Sequence, residues 1–205
     1  MLRTSFLVLS LLAMSAQSFE PAKFMGGGVE GIPYRSFAAG MVVLEVSVNA
    51  QGRVTGARTL EAVEPFTDVM TSSVRGWSFE PARENRVRTE SRVLVMGFFR
   101  PAMLLPPAPD GFREPDAAPS EDVPFPLSVD VPPYPPNAIG SHYVLVEIEV
   151  GEGGSVTSAQ VRSPTSGFDS AAADAARGWK FQPARRDGRP VPTLAYLIVA
   201  FRQPA

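Results

Sequence analysis

The sequence contains no cysteine and only one histidine. The first absence rules out disulfides, thiolate nucleophiles and thiolate metal sites. The second leaves His142 without a partner imidazole, so neither a zinc site nor a catalytic triad can be assembled around it. Charge of one sign is also lacking, since 19 Lys and Arg face 21 Asp and Glu for a formal net charge of -2. Nucleic acid and anionic membrane surfaces therefore lack the basic footprint that would recruit the chain. A G-x-S-x-G elbow, an H-E-x-x-H pair and a Walker sequence are all missing, and Gly26-Gly27-Gly28 has neither the spacing nor the strand-to-helix context of a phosphate loop. It reads as a flexible lead-in. The carboxylates are scattered over turns, strand exteriors and a proline tract, with no pair spaced for acid–base work. Catalytic residues, cofactors and metal ligands are accordingly assigned to none, and the chain reads as a binding protein rather than an enzyme.

A long hydrophobic run is missing too. The longest, Phe6 to Met14, is about half of the roughly 20 residues a spanning helix needs. With Arg3 ahead of it and Ala16-Gln17-Ser18 behind, residues 1–18 read as a signal peptide cleaved before Phe19, in preference to an inner-membrane anchor. The chain is therefore expected to be exported from the cytoplasm.

What the chain does have is an internal repeat. Trp77 falls on Trp179, and at that same offset Val42, Glu45 and Val48 fall on Val144, Glu147 and Val150. Gly52-x-Val54-Thr55 meets Gly154-x-Val156-Thr157. Arg75-Gly76-Trp77-x-Phe79-x-Pro81-Ala82-Arg83 meets Arg177-Gly178-Trp179-x-Phe181-x-Pro183-Ala184-Arg185, and Phe99-Arg100 meets Phe201-Arg202. The alignment needs no gap from Val42 onward. This organisation divides the chain into a first module at 32–102, a Pro-rich linker at 103–130 and a second module at 131–205. Proline fixes φ and removes a donor, so the linker reads as a semi-rigid spacer, with Phe125-Pro126-Leu127 as an apolar patch able to dock on the second module.

Each module has one pattern. Val42, Leu44, Val46 and Val48 share a face of a strand, as do Val144, Val146, Ile148 and Val150. Glycine-bearing turns at Asn49–Gly52 and Gly151–Gly154 lead into second strands, making hairpins. A helix follows, capped by Thr67 or Asp169 and stopped by Gly76 or Gly178 in the left-handed conformation. Final strands run over Ser91–Phe99 and Leu194–Phe201. The fold class is α+β: two tandem β-β-α-β modules, each an antiparallel sheet covered by one helix. In this reading Trp77, Phe79, Pro81, Trp179, Phe181 and Pro183 are structural, the aromatics anchoring helix to sheet.

On these residues the modules resemble the C-terminal domain of the TonB family. The second matches more fully, with Tyr134-Pro135 and Ala138, the strand Tyr143–Val150, Ser166-Gly167-Phe168-Asp169, Trp179-Lys180-Phe181-Gln182-Pro183-Ala184 and Gly188-x-Pro190-Val191. The first looks like a diverged copy sharing the Trp-x-Phe-x-Pro-Ala run. The resemblance implies a periplasmic domain whose exposed edge strand takes up an extended peptide from an outer-membrane β-barrel transporter. Carried over, the docking edge is Tyr196, Leu197, Ile198, Val199 and Ala200. The departures are a short leader in place of a membrane helix, a proline tract between the domains and His142 where a glycine is common. A retained leader would imply coupling to the proton-driven inner-membrane motor. The alternative function is a periplasmic interaction or scaffold protein, uncoupled from the motor, whose edges pair with a second copy as a homodimer. Mass spectrometry of the native protein is expected to find Phe19, or a residue beside it, as the first amino acid. An intact Met1 in the membrane fraction would overturn cleavage.

Overall fold

The computed structural model describes residues 18–99 and 117–203. The expected signal peptide up to its last residue, and the first half of the Pro-rich linker, lie outside these residues. Over the described residues the protein is mixed α+β with two helices, and the main elements are β1 (Lys23–Gly26), β2 (Gly40–Val48), β3 (Val54–Glu61), α1 (Phe66–Val74), β4 (Ser78–Glu80), β5 (Ser91–Phe99), β6 (Phe125–Ser128), β7 (His142–Val150), β8 (Val156–Ser163), α2 (Asp169–Gly178), β9 (Lys180–Gln182) and β10 (Thr193–Phe201). The long strands do not form two separate sheets. They form one, in the order β8-β7-β10-β5-β2-β3. Its central joint is the pairing of β10 with β5, which is parallel and runs from Ala195 opposite Leu94 to Ala200 opposite Phe99.

That joint fixes the layers. Because β5 and β10 run the same way, the pattern of one half is turned over relative to the other. Val42, Leu44, Val46 and Val48 pack with Phe66, Met70 and Val74 of α1 on one face, and this cluster continues across the joint to Leu194, Tyr196, Ile198 and Ala200. On the other face Val144, Val146, Ile148 and Val150 pack with Phe168, Ala172 and Ala176 of α2, and this cluster reaches back to Met41, Val43, Leu60, Leu94 and Met96. Alpha-helix periodicity places Phe66, Met70 and Val74 on one stripe. In α2 the buried positions are Ala172, Ala173 and Ala176, small side chains that let the helix lie close to the sheet. The expectation of two independent sheets, each with its own helix, is therefore corrected. A three-stranded sheet buries one face under its helix and leaves the other apolar, and each half covers that second face for its neighbour.

The spacer reading is corrected over nearly its last half. From Ala118 onward the chain is packed against both halves. Arg58 donates to the Ala118 carbonyl at 3.0 Å, Ser120 bonds Glu45, and β6 pairs with β9 with Phe125 buried. At the offset that aligns the two tryptophans, β1 occupies the same place and pairs with β4 in the equivalent register. The recurrence of elements thus extends upstream of Val42. The Gly26-Gly27-Gly28 lead-in is corrected as well: a Cβ at Gly27 would lie 2.3 Å from the Trp77 ring, and the Gly28 carbonyl accepts from Trp77 Nε1 at 2.9 Å. The Asp130 carbonyl does the same for Trp179 at 3.0 Å.

The hairpin glycines have a clear cause. Gly52 and Gly154 take φ of +79° and +77°, and a Cβ on either would meet the carbonyl oxygen of Phe79 or Phe181 at under 2 Å. Those carbonyls follow the tryptophans, so hairpin and Trp-x-Phe strand lock together in both halves. The caps differ from expectation. Thr67 and Asp169 lie inside their helices and accept instead from the backbone N–H of Val63 and Thr165, four residues upstream. Gly76 and Gly178 do not enter the left-handed region; a side chain at Gly178 would collide with the Asp130 carboxylate.

Trp77 and Trp179 are 3% and 0% exposed, with Phe79 and Phe181 beside them in the core. Truncating a buried aromatic costs roughly 3–5 kcal/mol. Trp179→Ala is therefore expected to lower stability by about that amount, and, because the two halves share both cores, calorimetry is expected to show one unfolding transition for the entire protein. Two separable transitions would contradict a common core.

Candidate functional site

The strand expected to dock a partner, Tyr196–Ala200, lies at the centre of the sheet. β10 pairs antiparallel with β7 on one side and parallel with β5 on the other, and every one of its nine residues is buried. Tyr196 is fixed further: its hydroxyl accepts from Phe24 N at 2.9 Å and donates to the Ala22 carbonyl at 3.0 Å. Burial, and then the neighbouring Glu147 carboxylate, raise its pKa well above the ordinary tyrosine value. The free-edge assignment of Tyr196, Leu197, Ile198, Val199 and Ala200 is therefore corrected. Their outward N–H and C=O groups are already spent on Leu94–Phe99.

Opening that joint is not a small motion. Leu94, Met96, Tyr196, Leu197, Ile198 and Val199 are all at 0–1% exposure. A fully buried side chain of this kind contributes about 1.5–3 kcal/mol, so even partial exposure of these six, plus the residues behind them, reaches on the order of 10 kcal/mol. Typical whole-domain stability is about 5–15 kcal/mol. A short incoming strand offers about 1 kcal/mol net per backbone hydrogen bond. The magnitudes favour the joint over any displacing peptide.

Among the described residues, the six-stranded sheet leaves two of its strands with a single neighbour, β3 and β8. Both are offset by irregularities at equivalent places, opposite Val43/Leu44 and Ser47/Val48 in one case and Leu145/Val146 and Glu149/Val150 in the other. The β3 side is strapped. Buried Glu45 binds Arg58 bidentately at 2.8 and 3.3 Å, takes the Ser120 N–H at 2.8 Å and the Ser120 hydroxyl at 3.0 Å, and has Arg92 at 3.6 Å. Arg92 in turn holds Asp122 at 3.1 Å. Burial alone would raise the Glu45 pKa, but the hydrogen bonds from Arg58 and Ser120 outweigh it and hold the carboxyl below its ordinary value. On the β8 side the equivalent Glu147 has one arginine, Arg162 at 2.6 Å, and an oxygen without a hydrogen bond among the described residues.

Beyond the end of β8 lies a depression of about 320 Å³ walled by Ile32, Tyr34, His142, Tyr143, Ser163 and Thr165. Its hydroxyls are ordered. Tyr143 accepts from Val29 N at 3.1 Å, and Thr165 donates to the Tyr143 carbonyl at 2.9 Å. Burial, followed by the proximity of Tyr143, pushes the Tyr34 pKa up to about 12. His142 is exposed at the first position of β7, its ring 5.3 Å from that of Phe168. Among the described residues no group of three or more His, Asp or Glu is placed to hold a metal ion, and no helix is long and apolar enough to cross a membrane.

The sequence carried a signal for the buried joint. Leu194–Phe201 is an unbroken apolar run and Val93–Phe99 nearly one, whereas an edge strand with one wet face alternates. Unbroken runs belong to strands covered on both faces, as parallel neighbours are.

Residues 131–202 match the family model for the Gram-negative bacterial TonB protein C-terminal. No curated protein matches the chain. Residues 131–202 are thus similar to a non-catalytic, periplasmic protein-interaction domain of a family generally involved in energy transduction for envelope transport.

Because the Glu45 pKa is depressed in the folded state, its contribution to stability is complete above the unfolded value of about 4.3 and is lost as pH falls through the folded value. The thermal midpoint of the wild type is expected to fall more steeply below pH 4.5 or so than that of Glu45→Gln. Parallel curves would show that the Ser120 strap does not depend on this charge.

Proposed function

We propose that the chain consists of two fused copies of the TonB C-terminal type of domain and serves in the periplasm as a rigid, non-catalytic adaptor for outer-membrane transporters. The family's interaction with outer-membrane transporters supplies the partner class. One observation separates this role from that of a transducer gripping with its last strand: β10 is paired on both sides within the molecule. The adaptor keeps the binding partner and gives up the family's docking strand. In place of a mobile grip it offers a body of fixed shape, held by two cores that cross the joint.

A second reading is a scaffold that pairs with another copy of itself. The single-neighbour margin of β8 favours it, since unpaired backbone groups on an edge recruit strands of any source. Sedimentation separates the two: an adaptor stays monomeric at concentrations where an edge-paired scaffold dimerises.

The native absence of cysteine makes a direct test clean. Met96 and Leu197 are opposite one another across the joint, and adjacent strands stand about 4.8 Å apart, within disulfide reach. Oxidised Met96→Cys/Leu197→Cys is expected to retain purified outer-membrane transporters in detergent as well as the wild type does. Loss of retention on oxidation, recovered on reduction, would mean that the partner enters at β10 after the halves part. A wild type that retains no transporter would end the adaptor reading altogether.

A further inference from the structure

We infer that the end of the sheet where β5 and β10 finish rests on a phospholipid surface, with Phe37 and Ile139 inserted at the boundary of headgroups and acyl chains. This relies on the adaptor reading to bring the chain to a membrane, since its charge does not, and goes beyond that reading in naming a second contact. Three observations carry it. The first is exposure. Phe37 and Ile139 are 90% and 81% exposed, more than any other large apolar residue among those described. They fall on one another at the offset that aligns the two tryptophans. Isolated exposed apolar residues are ordinary; these two are set apart by how they are held.

The second observation is that the backbone keeps both from turning inward. Buried Arg202 donates to the carbonyls of Tyr34 and Ala38 at 2.9 and 2.8 Å, one on each side of Phe37, and the Ser36 hydroxyl accepts from Ala38 N at 3.1 Å. The Tyr134 hydroxyl donates to the carbonyls of Ala138 and Gly140, at 3.3 and 2.8 Å, the residues on either side of Ile139. Gln203 Oε1 accepts from Gly140 N at 2.9 Å. Different side chains thus do the same thing in the two halves, bracing the backbone around an apolar side chain that stands in water. Burying either would be favourable. The clamps oppose that collapse, and an apolar medium outside the molecule accounts for them.

The third observation is geometry, and it selects the partner. Gly40 at the start of β2 is opposite Phe99, and His142 at the start of β7 is opposite Phe201, the last residues of β5 and β10. Those two strands run parallel with Ala200 opposite Phe99, so both loops stand at one end of the sheet. The halves are related by an approximate half-turn about an axis along the strands, displaced by about one residue or 3.3 Å, which brings the two side chains to nearly one height. β10 and β5 lie between β7 and β2, so the strands that carry the loops are about 14 Å apart. Arg202 binds one loop and Gln203 the other, and what separates the two side chains is polar. A protein interface has a contiguous apolar core, whereas two separate side chains at one height suit a flat medium that closes around each. Arg35, exposed two residues before Phe37, is placed for a lipid phosphate. Two side chains bury too little area to hold a protein on a membrane unaided. They orient an adaptor that a transporter already keeps there, where its effective concentration is high.

The test places an indole at each position, since the native Trp77 and Trp179 are buried. Phe37→Trp and Ile139→Trp are bound to a transporter that the wild type retains, held in nanodiscs of phosphatidylcholine with brominated or plain acyl chains. Brominated lipid is expected to quench both added indoles at least twofold. It is expected to leave Leu127→Trp unchanged, a position exposed beside the Gly154 turn at the opposite end of the sheet. The double variant Phe37→Ser/Ile139→Ser provides the second arm. It is expected to keep the native thermal midpoint, to bind the transporter at least threefold more weakly in nanodiscs, and to bind it as the wild type does when an amphipathic polymer replaces the lipid. No quenching at either position, equal quenching at all three, or full affinity of the double variant in nanodiscs would overturn the lipid contact. So would an equal loss in nanodiscs and polymer, which puts the two side chains on the transporter itself. Each of these outcomes leaves the adaptor reading intact. Failure of the wild type to retain any transporter would remove both.

Discussion

The parallel pairing of Ser91–Phe99 with Thr193–Phe201 is the constraint on which the rest of the structure depends. A parallel pair buries both its faces, so each of these strands has to be apolar on both sides, and both are. It also inverts one half relative to the other, which puts the two helices on opposite faces of a single sheet. Each half alone would have one covered face and one bare apolar face. Together they have none.

From this follows the path of the chain outside the sheet. The arms that precede β2 and β7 lie against their own Trp-x-Phe strands and, at the same time, against the sheet of the other half. Ala22 and Phe24 bind Tyr196, Val29 binds Tyr143, Ser120 binds Glu45 and Asp122 binds Arg92. Arg202 closes the circuit from the other end, donating to the carbonyls of Tyr34 and Ala38 at 2.9 and 2.8 Å while itself almost fully buried. A polar set distributed in this way ties specific partners together across the joint, since an unmatched buried carboxylate or guanidinium is costly.

The functional consequence is a trade. A last strand with one neighbour would leave a row of backbone donors and acceptors open to a partner. Here that strand has been used to join two halves, and what is gained is rigidity. In the proposed role, function lies at the periphery, on whatever backbone and pockets the merged sheet leaves uncovered.

Much was legible from the residues alone. The recurrence of Gly-x-Val-Thr and Trp-x-Phe-x-Pro-Ala at one offset pointed to the same run of elements occurring twice, and the period-two patterns at Val42–Val48 and Val144–Val150 located strands and their inward faces, because side-chain direction along a strand is a local property. The turn glycines and the buried tryptophans were local as well. What sequence order could not decide was which strand lies beside which. β5 and β10 are separated by nearly a hundred residues, and an apolar run states only that a strand is covered, not by what. Whether Tyr196–Ala200 was a margin or a centre therefore depended on the tertiary structure, where burying two bare sheet faces against each other's helices and arms outweighed leaving an edge open for a partner.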